Sequence, residues 1–290
     1  MNGILLIDKP EGWTSSDVVA KLRGVLHERR IGHSGTLDPM ATGLLVLFVG
    51  RATRAAEFAE GHDKRYRAAL RLGVVTDTQD STGTVIGGTP RDVTPEELET
   101  TLASFRGEQL QLPPMYSAIK VKGQKLYEIA RRGGEVERKP RPVTLYSLEL
   151  SGRAGEDYLL DVRCSKGTYV RTLCHDIGQA LGCGGCMSAL RRLEAGSFRI
   201  EQAYSLEQVI RAAEEGRAED LLLPVDSLFS KLPELRLDTR QEKKLRCGAA
   251  LDTTDTADGD YRVYGPEGDF LALGQVHGAV LRTKKSFFEV

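Results

Sequence analysis

The run Gly32-His33-Ser34-Gly35-Thr36-Leu37-Asp38-Pro39-Met40-Ala41-Thr42-Gly43 is the densest concentration of unusual residues in this chain of 290. Three glycines and one proline among these twelve residues are typical of a backbone held in specific turns. The apolar run 44–49 follows at once and has the length of a buried strand. The segment is therefore predicted to be a loop that leads into the protein interior.

On either side of this loop, strand and helix patterns alternate. Residues 3–10 predict a short buried strand that ends at Pro10, and residues 14–17 offer N-caps for a helix with an apolar stripe. Further helices are predicted at 52–60, 95–105, 170–181 and 205–213, and further strands at 66–72, 144–150 and 158–164. Because a regular βαβ order is missing, we predict an α+β (mixed α/β) fold with a largely antiparallel or mixed sheet.

The overall composition excludes several classes of protein. The chain has 40 Lys and Arg against 41 Asp and Glu, a net charge of −1, so it is not a uniformly basic nucleic-acid coat. No apolar stretch approaches the roughly 20 residues of a membrane span, and the apolar run at the N-terminus is too short for a signal peptide. The five cysteines are an odd number and sparse, which argues against a disulfide framework. We therefore expect a cytoplasmic monomer with no membrane association.

Two shifts in composition divide the chain. Residues 120–141 carry eight basic and three acidic side chains, a local net charge of +5. Prolines bound this stretch and indicate a projecting insertion at 114–142, although an ordinary solvated face would explain the charges equally well. From about residue 231, short strand patterns and turn signals replace helical ones, which predicts a small β-rich domain at 231–290 beside a main domain at 1–230.

Asp38 is the first candidate for chemistry, and a purely structural role is the alternative. Pro39 biases Asp38 toward an extended backbone, so that its carboxylate points out of the turn and not into a helix cap. In many Asp-Pro turns, however, the carboxylate only accepts hydrogen bonds from local amides. The segment matches neither of the glycine-rich phosphate-binding patterns, which argues against nucleotide binding.

The cysteines raise a second alternative, a zinc site. Cys174-His175 and the later pair Cys183 and Cys186 have ligand types that zinc prefers. The second pair of a usual structural site is missing, and Cys174 and His175 fall inside a predicted helix. These cysteines are therefore interpreted as small buried residues, and no metal site is predicted.

Seven segments of the chain together resemble a known family. They are Gly3 to Pro10, Gly32 to Gly43, Lys64-Arg65-Tyr66, Leu72 to Gly83, Pro113 to Lys120, Ser165 to Leu173 and Leu190-Arg191-Arg192. In this order they resemble the TruB family, the bacterial pseudouridine synthases that modify the T-loop uridine of tRNA.

The resemblance implies an activity and three catalytic residues. The uridine at position 55 of tRNA would be flipped out and isomerised to pseudouridine, with no cofactor and no metal. Asp38 would be the essential carboxylate, and Arg171 would hold it ionised. Tyr66 would stack on the flipped base and is a candidate for removing the proton from carbon 5. The implied fold is a catalytic domain around a bent, largely antiparallel sheet, with a PUA-like RNA-binding domain at the C-terminus.

The resemblance also assigns residues to substrate binding. His33 would contact the RNA loop, Tyr169 and Leu190 would line the pocket, and Asp80 would be a polar residue nearby. The basic insertion would be a thumb-like segment that closes over the T arm of tRNA. Its contacts to the RNA backbone would come from Lys120, Lys122, Lys125, Arg131 and Arg132.

Two further hypotheses stay open at the level of sequence. An RNA-binding module or RNA chaperone would use the same fold to grip tRNA and would not depend on Asp38 for its effect. A related synthase could act on a different RNA target. A hydrolytic glycosidase is disfavoured, because no second carboxylate is convincingly paired with Asp38 as acid and base.

Overall fold

The computed structural model describes residues 1–117, 119–121, 123–130 and 132–288. In this part of the chain the helices are α1 (Ser15–Val25), α2 (Ala56–Glu60), α3 (Pro95–Ser104), α4 (Leu126–Ala130), α5 (Val170–Ala180), α6 (Leu206–Glu214) and α7 (Thr239–Arg246). Short 3₁₀ helices lie at Gly50–Ala55, Ile200–Gln202, Ala218–Leu221 and Val225–Phe229.

The strands of the first 230 residues are β1 (Gly3–Lys9), β2 (Ile31–Ser34), β3 (Thr42–Val49), β4 (Lys64–Leu72), β5 (Val75–Thr76), β6 (Val85–Gly87), β7 (Gly107–Gln111), β8 (Lys120–Val121), β9 (Gln124–Lys125), β10 (Arg141–Ala154), β11 (Asp157–Cys164), β12 (Gly185–Ala195) and β13 (Phe198–Arg199). The later strands are β14 (Glu234–Arg236), β15 (Leu251–Asp252), β16 (Gly259–Tyr264), β17 (Phe270–His277) and β18 (Val280–Ser286).

Nine strands form the main sheet, in the order β1-β3-β12-β4-β11-β10-β7, with β2 added on β3 and β13 on β12. Its pairs are antiparallel except for β3 with β12. Register shifts interrupt the pairing of β10 with β11 and of β4 with β12, and such bulges bend a sheet. The predicted α+β class with a largely antiparallel sheet is confirmed.

The strands β1 and β3 are buried on both faces, which explains their continuous apolar sequences. On one face Leu5 and Leu47 share a core cluster with Leu22 of α1 and Val209 of α6. On the other face, alternate residues of the same strands belong to a different cluster that includes Phe48. The loop that carries Asp38 therefore ends on β3, a strand that is fixed in the interior.

Several details of the secondary structure differ from the sequence predictions. The loop predicted at 32–43 is shorter, since β2 extends to Ser34 and β3 begins at Thr42. The helix expected at 52–60 is a 3₁₀ helix from Gly50 to Ala55 and α-helical only from Ala56. The strand β12 carries several charged residues and was not predicted. Helix α7 was missed because it buries only Leu245. The order of Thr94, Pro95 and Glu97 in the sequence also predicts a capping box for α3. The Thr94 side chain accepts from the Glu97 amide, but the Glu97 carboxylate pairs with Arg91 and does not complete the box.

A second, five-stranded sheet forms near the C-terminus, in the order β14-β16-β17-β18-β15. It has its own core, which includes Leu245, Val263 and Leu281. Phe287, which directly follows β18, packs against Phe229 at 6.2 Å between ring centroids, and Phe229 in turn lies 5.5 Å from Phe58 of α2. The C-terminal sheet and the main sheet are thus joined by an aromatic cluster.

Cys174, Cys183 and Cys186 are small buried residues, as the sequence indicates. Cys164, Cys174, Cys183 and Cys186 are buried free thiols, and Cys247 is exposed. Across the described residues, no group of three or more His, Cys, Asp or Glu side chains is arranged to hold a metal ion. In the same part of the chain, no helix combines the length and the apolar character needed to cross a bilayer.

Candidate active site

The loop between β2 and β3 carries Asp38, and two buried side chains hold its backbone. The Ser15 hydroxyl, in the first turn of α1, donates to the Leu37 carbonyl at 3.1 Å and accepts from the Leu37 amide at 2.9 Å. The Lys9 ammonium, at the end of β1, donates to the Pro39 carbonyl at 3.3 Å. The residues before and after Asp38 are both fixed, and this sets the direction of its carboxylate.

Lys9 is a fully buried lysine at the centre of this arrangement. Its ammonium also donates to the carbonyls of Pro10 at 2.9 Å and Trp13 at 2.6 Å. Burial lowers the pKa of Lys9 to about 8, although the nearby Asp38 charge acts in the opposite direction. One nitrogen thus ties the end of β1, the following turn and the Asp38 loop together.

Arg171, in the first turn of α5, lies between two carboxylates. Its Nε is 3.1 Å from Asp38 Oδ2, and its Nη1 is 3.4 Å from Asp80 Oδ2. Its Nη2 donates to the Tyr116 carbonyl at 2.7 Å. The side chain is only 8% exposed, so the guanidinium is held in one place by contacts on several sides.

Asp80 is buried and its Oδ1 atom is fully engaged. That oxygen accepts from the Thr78 hydroxyl at 2.8 Å, the Thr82 amide at 3.0 Å and the Thr82 hydroxyl at 2.5 Å. Its Oδ2 atom faces Arg171. Asp80 therefore anchors the guanidinium that contacts Asp38.

Asp38 is the more accessible of the two carboxylates, with 38% of its side chain exposed against 5% for Asp80. Desolvation raises the pKa of Asp38, and the Arg171 charge opposes this increase. Among the described residues its carboxylate makes no hydrogen bond to an amide of its own turn, and Arg171 is its contact partner. The structure therefore does not show the local role that the Asp-Pro sequence left open.

The wall beside Asp38 is formed by β4 and β12. In their register Tyr66 lies opposite Arg192, and Ala68 lies opposite Leu190. Tyr66 and Leu190 are both buried and share a core cluster with Leu37 of the Asp38 loop. Burial raises the pKa of the Tyr66 hydroxyl, and the adjacent Arg192 charge partly opposes that increase.

A glycine allows β12 to approach the Asp38 loop. Gly43 pairs with Arg192 in the parallel register of β3 and β12. Its φ is +96°, and a Cβ atom there would lie 2.3 Å from the Arg192 carbonyl oxygen. Only glycine fits this position, so Gly43 decides how closely the wall and the loop can meet.

Tyr169 lies just before α5, and its backbone is held by Gln111 at the end of β7. The Gln111 side-chain oxygen accepts from the Tyr169 amide at 2.8 Å, and its side-chain nitrogen donates to the Tyr169 carbonyl at 3.1 Å. Gln111 is itself buried. This contact fixes the start of α5 and thereby the position of Arg171 two residues later.

The structure brings most of the predicted pocket residues together. Arg171 contacts both Asp38 and Asp80. Tyr66 and Leu190 lie in the wall beside them. Tyr169 is close enough for the Arg171 and Asp38 charges to influence its pKa, which burial raises. His33 lies half-buried on β2.

The residues predicted to contact the RNA backbone are only partly described. Lys122 and Arg131 lie outside the described residues. Lys120 and Lys125 belong to the short paired strands β8 and β9, and their side chains are also outside the description. Arg132 is exposed in the turn after α4. The proposed role of the segment therefore remains a prediction.

Sequence reasoning missed the residues that hold the catalytic candidates. Ser15 was seen only as part of a helix start, and Lys9 only as part of a motif. Gln111 and Thr82 were not singled out at all. The one available signal was Lys9, because a lysine at the end of an otherwise apolar strand has to find partners for its charge.

Comparisons with known proteins show which family the chain resembles over most of its length. Residues 23–170 match the model described as TruB family pseudouridylate synthase (N terminal domain), and residues 171–230 match the model described as tRNA pseudouridylate synthase B C-terminal domain. A protein named tRNA pseudouridine synthase B from Aromatoleum aromaticum is 46% identical over 278 residues, which cover 96% of this chain and 90% of the relative. One of the same name from Syntrophomonas wolfei is 45% identical over 284 residues, covering 96% and 94%.

The fold also matches a solved structure, a Cbf5-Nop10-Gar1 complex, with a TM-score of 0.76 at 26% identity, covering 99% of this chain and 85% of the matched chain. Fold and site together define an enzyme of the pseudouridine synthase class. The chain belongs to the TruB family of pseudouridylate synthases, because the family models and the relatives extend over most of its length.

Proposed function

We propose that the chain isomerises the T-loop uridine at position 55 of tRNA to pseudouridine, with Asp38 as the essential group. The observation that carries this proposal is the contact of the accessible Asp38 carboxylate with Arg171, a guanidinium that Asp80 anchors in the interior. The name tRNA pseudouridine synthase B, which the relatives carry, supports tRNA as the substrate.

The chemistry needs a carboxylate beside the sugar and the base. The bond between N1 of uracil and C1′ of ribose breaks, and a bond between C5 and C1′ forms. The proton on C5 leaves and N1 gains a proton, so the reaction is balanced without an oxidant, a reductant or a cofactor. We assign this task to Asp38, because the Arg171 charge favours its ionised form against the effect of burial.

The target base must leave the RNA stack before it can reach Asp38. Extruded bases are held by stacking and by apolar contacts. We assign these contacts to Tyr66, Leu190 and Tyr169, and the removal of the C5 proton to the Tyr66 hydroxyl. His33 would contact the RNA loop from which the base has left. Asp80 would position Arg171, because protein groups already occupy both of its oxygens.

Other parts of the chain would hold the remainder of the tRNA. The basic segment 114–142 would contact phosphates of the T arm, which positions the RNA without reading its sequence. We further propose that the chain divides near residue 231 and that the C-terminal β-rich domain is a PUA-like RNA-binding domain. A cytoplasmic monomer is the form in which we expect the enzyme to act.

The proposal is tested by incubating the purified full chain with an unmodified tRNA transcript, with no metal or nucleotide added. Pseudouridine is mapped by chemical labelling and mass spectrometry. We expect one modified uridine, in the T loop, and no product from Asp38→Asn. Asp161→Asn is the matched control, because Asp161 also pairs with an arginine, Arg65, but outside the site, and it should retain activity.

Two results would contradict the proposal. Modification of another RNA but not of the T loop would leave the enzyme class intact and refute the substrate. Tight tRNA binding without any product, unchanged in Asp38→Asn, would instead favour an RNA-binding or chaperone role.

A further inference from the structure

The wall of the candidate site contains a buried cation without a counter-ion. Arg192 is 1% exposed, and in the described chain no carboxylate lies within 4.0 Å of it. Its Nε donates to the Leu44 carbonyl at 2.6 Å, while its Nη2 has no hydrogen-bond partner. A buried charge of this kind is costly unless an opposite charge completes the site.

A second cation lies next to it. Lys64 is on β4, on the same face as Tyr66, and its ammonium donates only to backbone carbonyls, those of His62 at 2.6 Å and Glu60 at 3.2 Å. Burial lowers the pKa of Lys64, and the Arg192 charge lowers it further. Two neighbouring like charges, neither paired with a carboxylate, are typical of an anion site.

Gly35 leaves an opening toward both cations. A Cβ atom at this position would lie 3.2 Å from Arg192 Nη1 and 3.7 Å from Lys64 Cε. Its φ of +68° also disfavours other residues. A ligand atom in the place of that missing side chain would therefore touch both basic side chains.

His33 borders the same opening and has an unused polar atom. Its Nδ1 is buried and without a hydrogen-bond partner. Burial and the Arg192 charge lower the pKa of His33, so the ring contributes a neutral donor or acceptor and adds no third positive charge. Two orphaned polar atoms, on His33 and Arg192, thus accompany two unpaired cations.

We propose that Lys64 and Arg192, with Gly35 between them, bind one phosphodiester of the RNA backbone next to the target uridine. This site rests on the proposed function and refines it. Tyr66 lies opposite Arg192 in the register of β4 and β12, and Asp38 follows Gly35 by three residues. The phosphate of the same nucleotide is the anion that would reach this opening when its base lies against Tyr66.

The test measures binding, so that it does not depend on turnover. T-arm hairpins are prepared with one uncharged methylphosphonate linkage, placed 5′ or 3′ of the target uridine or in the stem. Their affinity is measured for the full chain in the Asp38→Asn background, with and without Lys64→Met. Arg67→Met is the matched control, because Arg67 is an exposed cation of the same strand on its opposite face.

We expect Lys64→Met to weaken binding of the ordinary hairpin about tenfold and to reduce the salt slope by about one. In the protein that retains Lys64, one of the two methylphosphonate linkages that flank the target uridine should weaken binding by a similar factor. In Lys64→Met the same linkage should have little further effect. Arg67→Met should leave the full effect of that linkage in place, and Lys64→Arg should restore most of the affinity.

The proposal would be overturned if every neutral linkage weakened binding by the same factor with and without Lys64→Met, because the two changes would then act independently. It would also be overturned if inorganic phosphate stabilised the protein against thermal unfolding through Lys64 while no linkage showed coupling, because the site would then take a free anion. Pseudouridine formation by the wild type is measured on the same hairpin. Product without coupling refutes only the phosphate site, whereas no product refutes the proposed function.

Discussion

At the scale of single residues, Asp38 and Arg171 form a pair in which burial and charge act in opposite directions. Burial raises the pKa of Asp38, and Arg171 lowers it. If the ionised carboxylate is the active form, activity rises with pH as Asp38 loses its proton. The acid limb of the pH profile should therefore lie above the range of an ordinary aspartate.

Replacing Arg171 with Met should move that acid limb to higher pH, because burial would then act unopposed. We also expect kcat/KM at neutral pH to fall by on the order of 100-fold. The measurement is kcat/KM between pH 4 and 9 for the wild type, Arg171→Met and Arg171→Lys. The lysine variant keeps the charge, so its limb should stay nearer to that of the wild type. Coincident limbs for the wild type and Arg171→Met would show that Asp38 is not the titrating group.

Lys9 should make stability depend on pH in the alkaline range. Its pKa is about 8 in the folded chain against the ordinary value of 10.5, so between these values the unfolded chain binds more protons. Stability should then rise with pH across this window. We expect the free energy of unfolding of the wild type, relative to Lys9→Met, to increase from pH 7 to pH 10. Urea unfolding at both pH values measures this, and a constant difference would refute it.

At the scale of elements, helix α1 and the Asp38 loop are coupled through one hydroxyl. Ser15 makes two hydrogen bonds to the backbone of Leu37, and each buried bond contributes about 1 kcal/mol. Ser15→Ala should destabilise the chain by about 2 kcal/mol. It should also lower kcat/KM, because the loop would hold Asp38 less firmly against Arg171.

The neighbouring Ser16 provides the control for this prediction. Ser16 lies in the same helical turn but is exposed, so Ser16→Ala should change neither stability nor activity beyond measurement error. Thermal unfolding and initial rates are compared for both variants. Equal activity of Ser15→Ala and the wild type would mean that other contacts suffice to position the loop.

At the scale of the whole molecule, an aromatic cluster joins the two sheets. Phe229 lies at its centre, with its ring centroid 5.5 Å from Phe58, 6.1 Å from Phe270 and 6.2 Å from Phe287. Phe58 belongs to α2, Phe270 lies in β17 and Phe287 directly follows β18. The Phe229 ring therefore contacts residues on both sides of the junction between the two sheets. The two domains are therefore expected to unfold together.

Phe229→Ala should allow the C-terminal sheet to unfold separately from the main sheet. Removal of a buried phenyl ring costs about 3–5 kcal/mol, and we expect calorimetry to show a separate transition for the C-terminal domain at lower temperature. Tyr146→Ala removes an aromatic ring that is 51% exposed and should leave a single transition. Two transitions already in the wild type would show that the cluster does not couple the domains.

The sequence by itself determined many of the helices and strands and the candidate chemistry. Helix caps, apolar periodicity and the glycine-rich run are local signals, and they located α1, α5, β3 and the loop that carries Asp38. The family motifs added Arg171, Tyr66 and Leu190 as partners. The charged strand β12 and the polar helix α7 could not be predicted from the sequence, because their apolar patterns are weak and tertiary packing decides their conformation.

Only the tertiary structure decided how these residues meet. Arg171 is shared between Asp38 and Asp80, Gln111 holds the start of α5, and β12 brings Arg192 beside Tyr66 and Gly43. Each of these contacts joins residues far apart in the chain. The order and the register of the strands create these contacts. Register depends on how both faces of the sheet pack, and no local pattern of residues determines that packing.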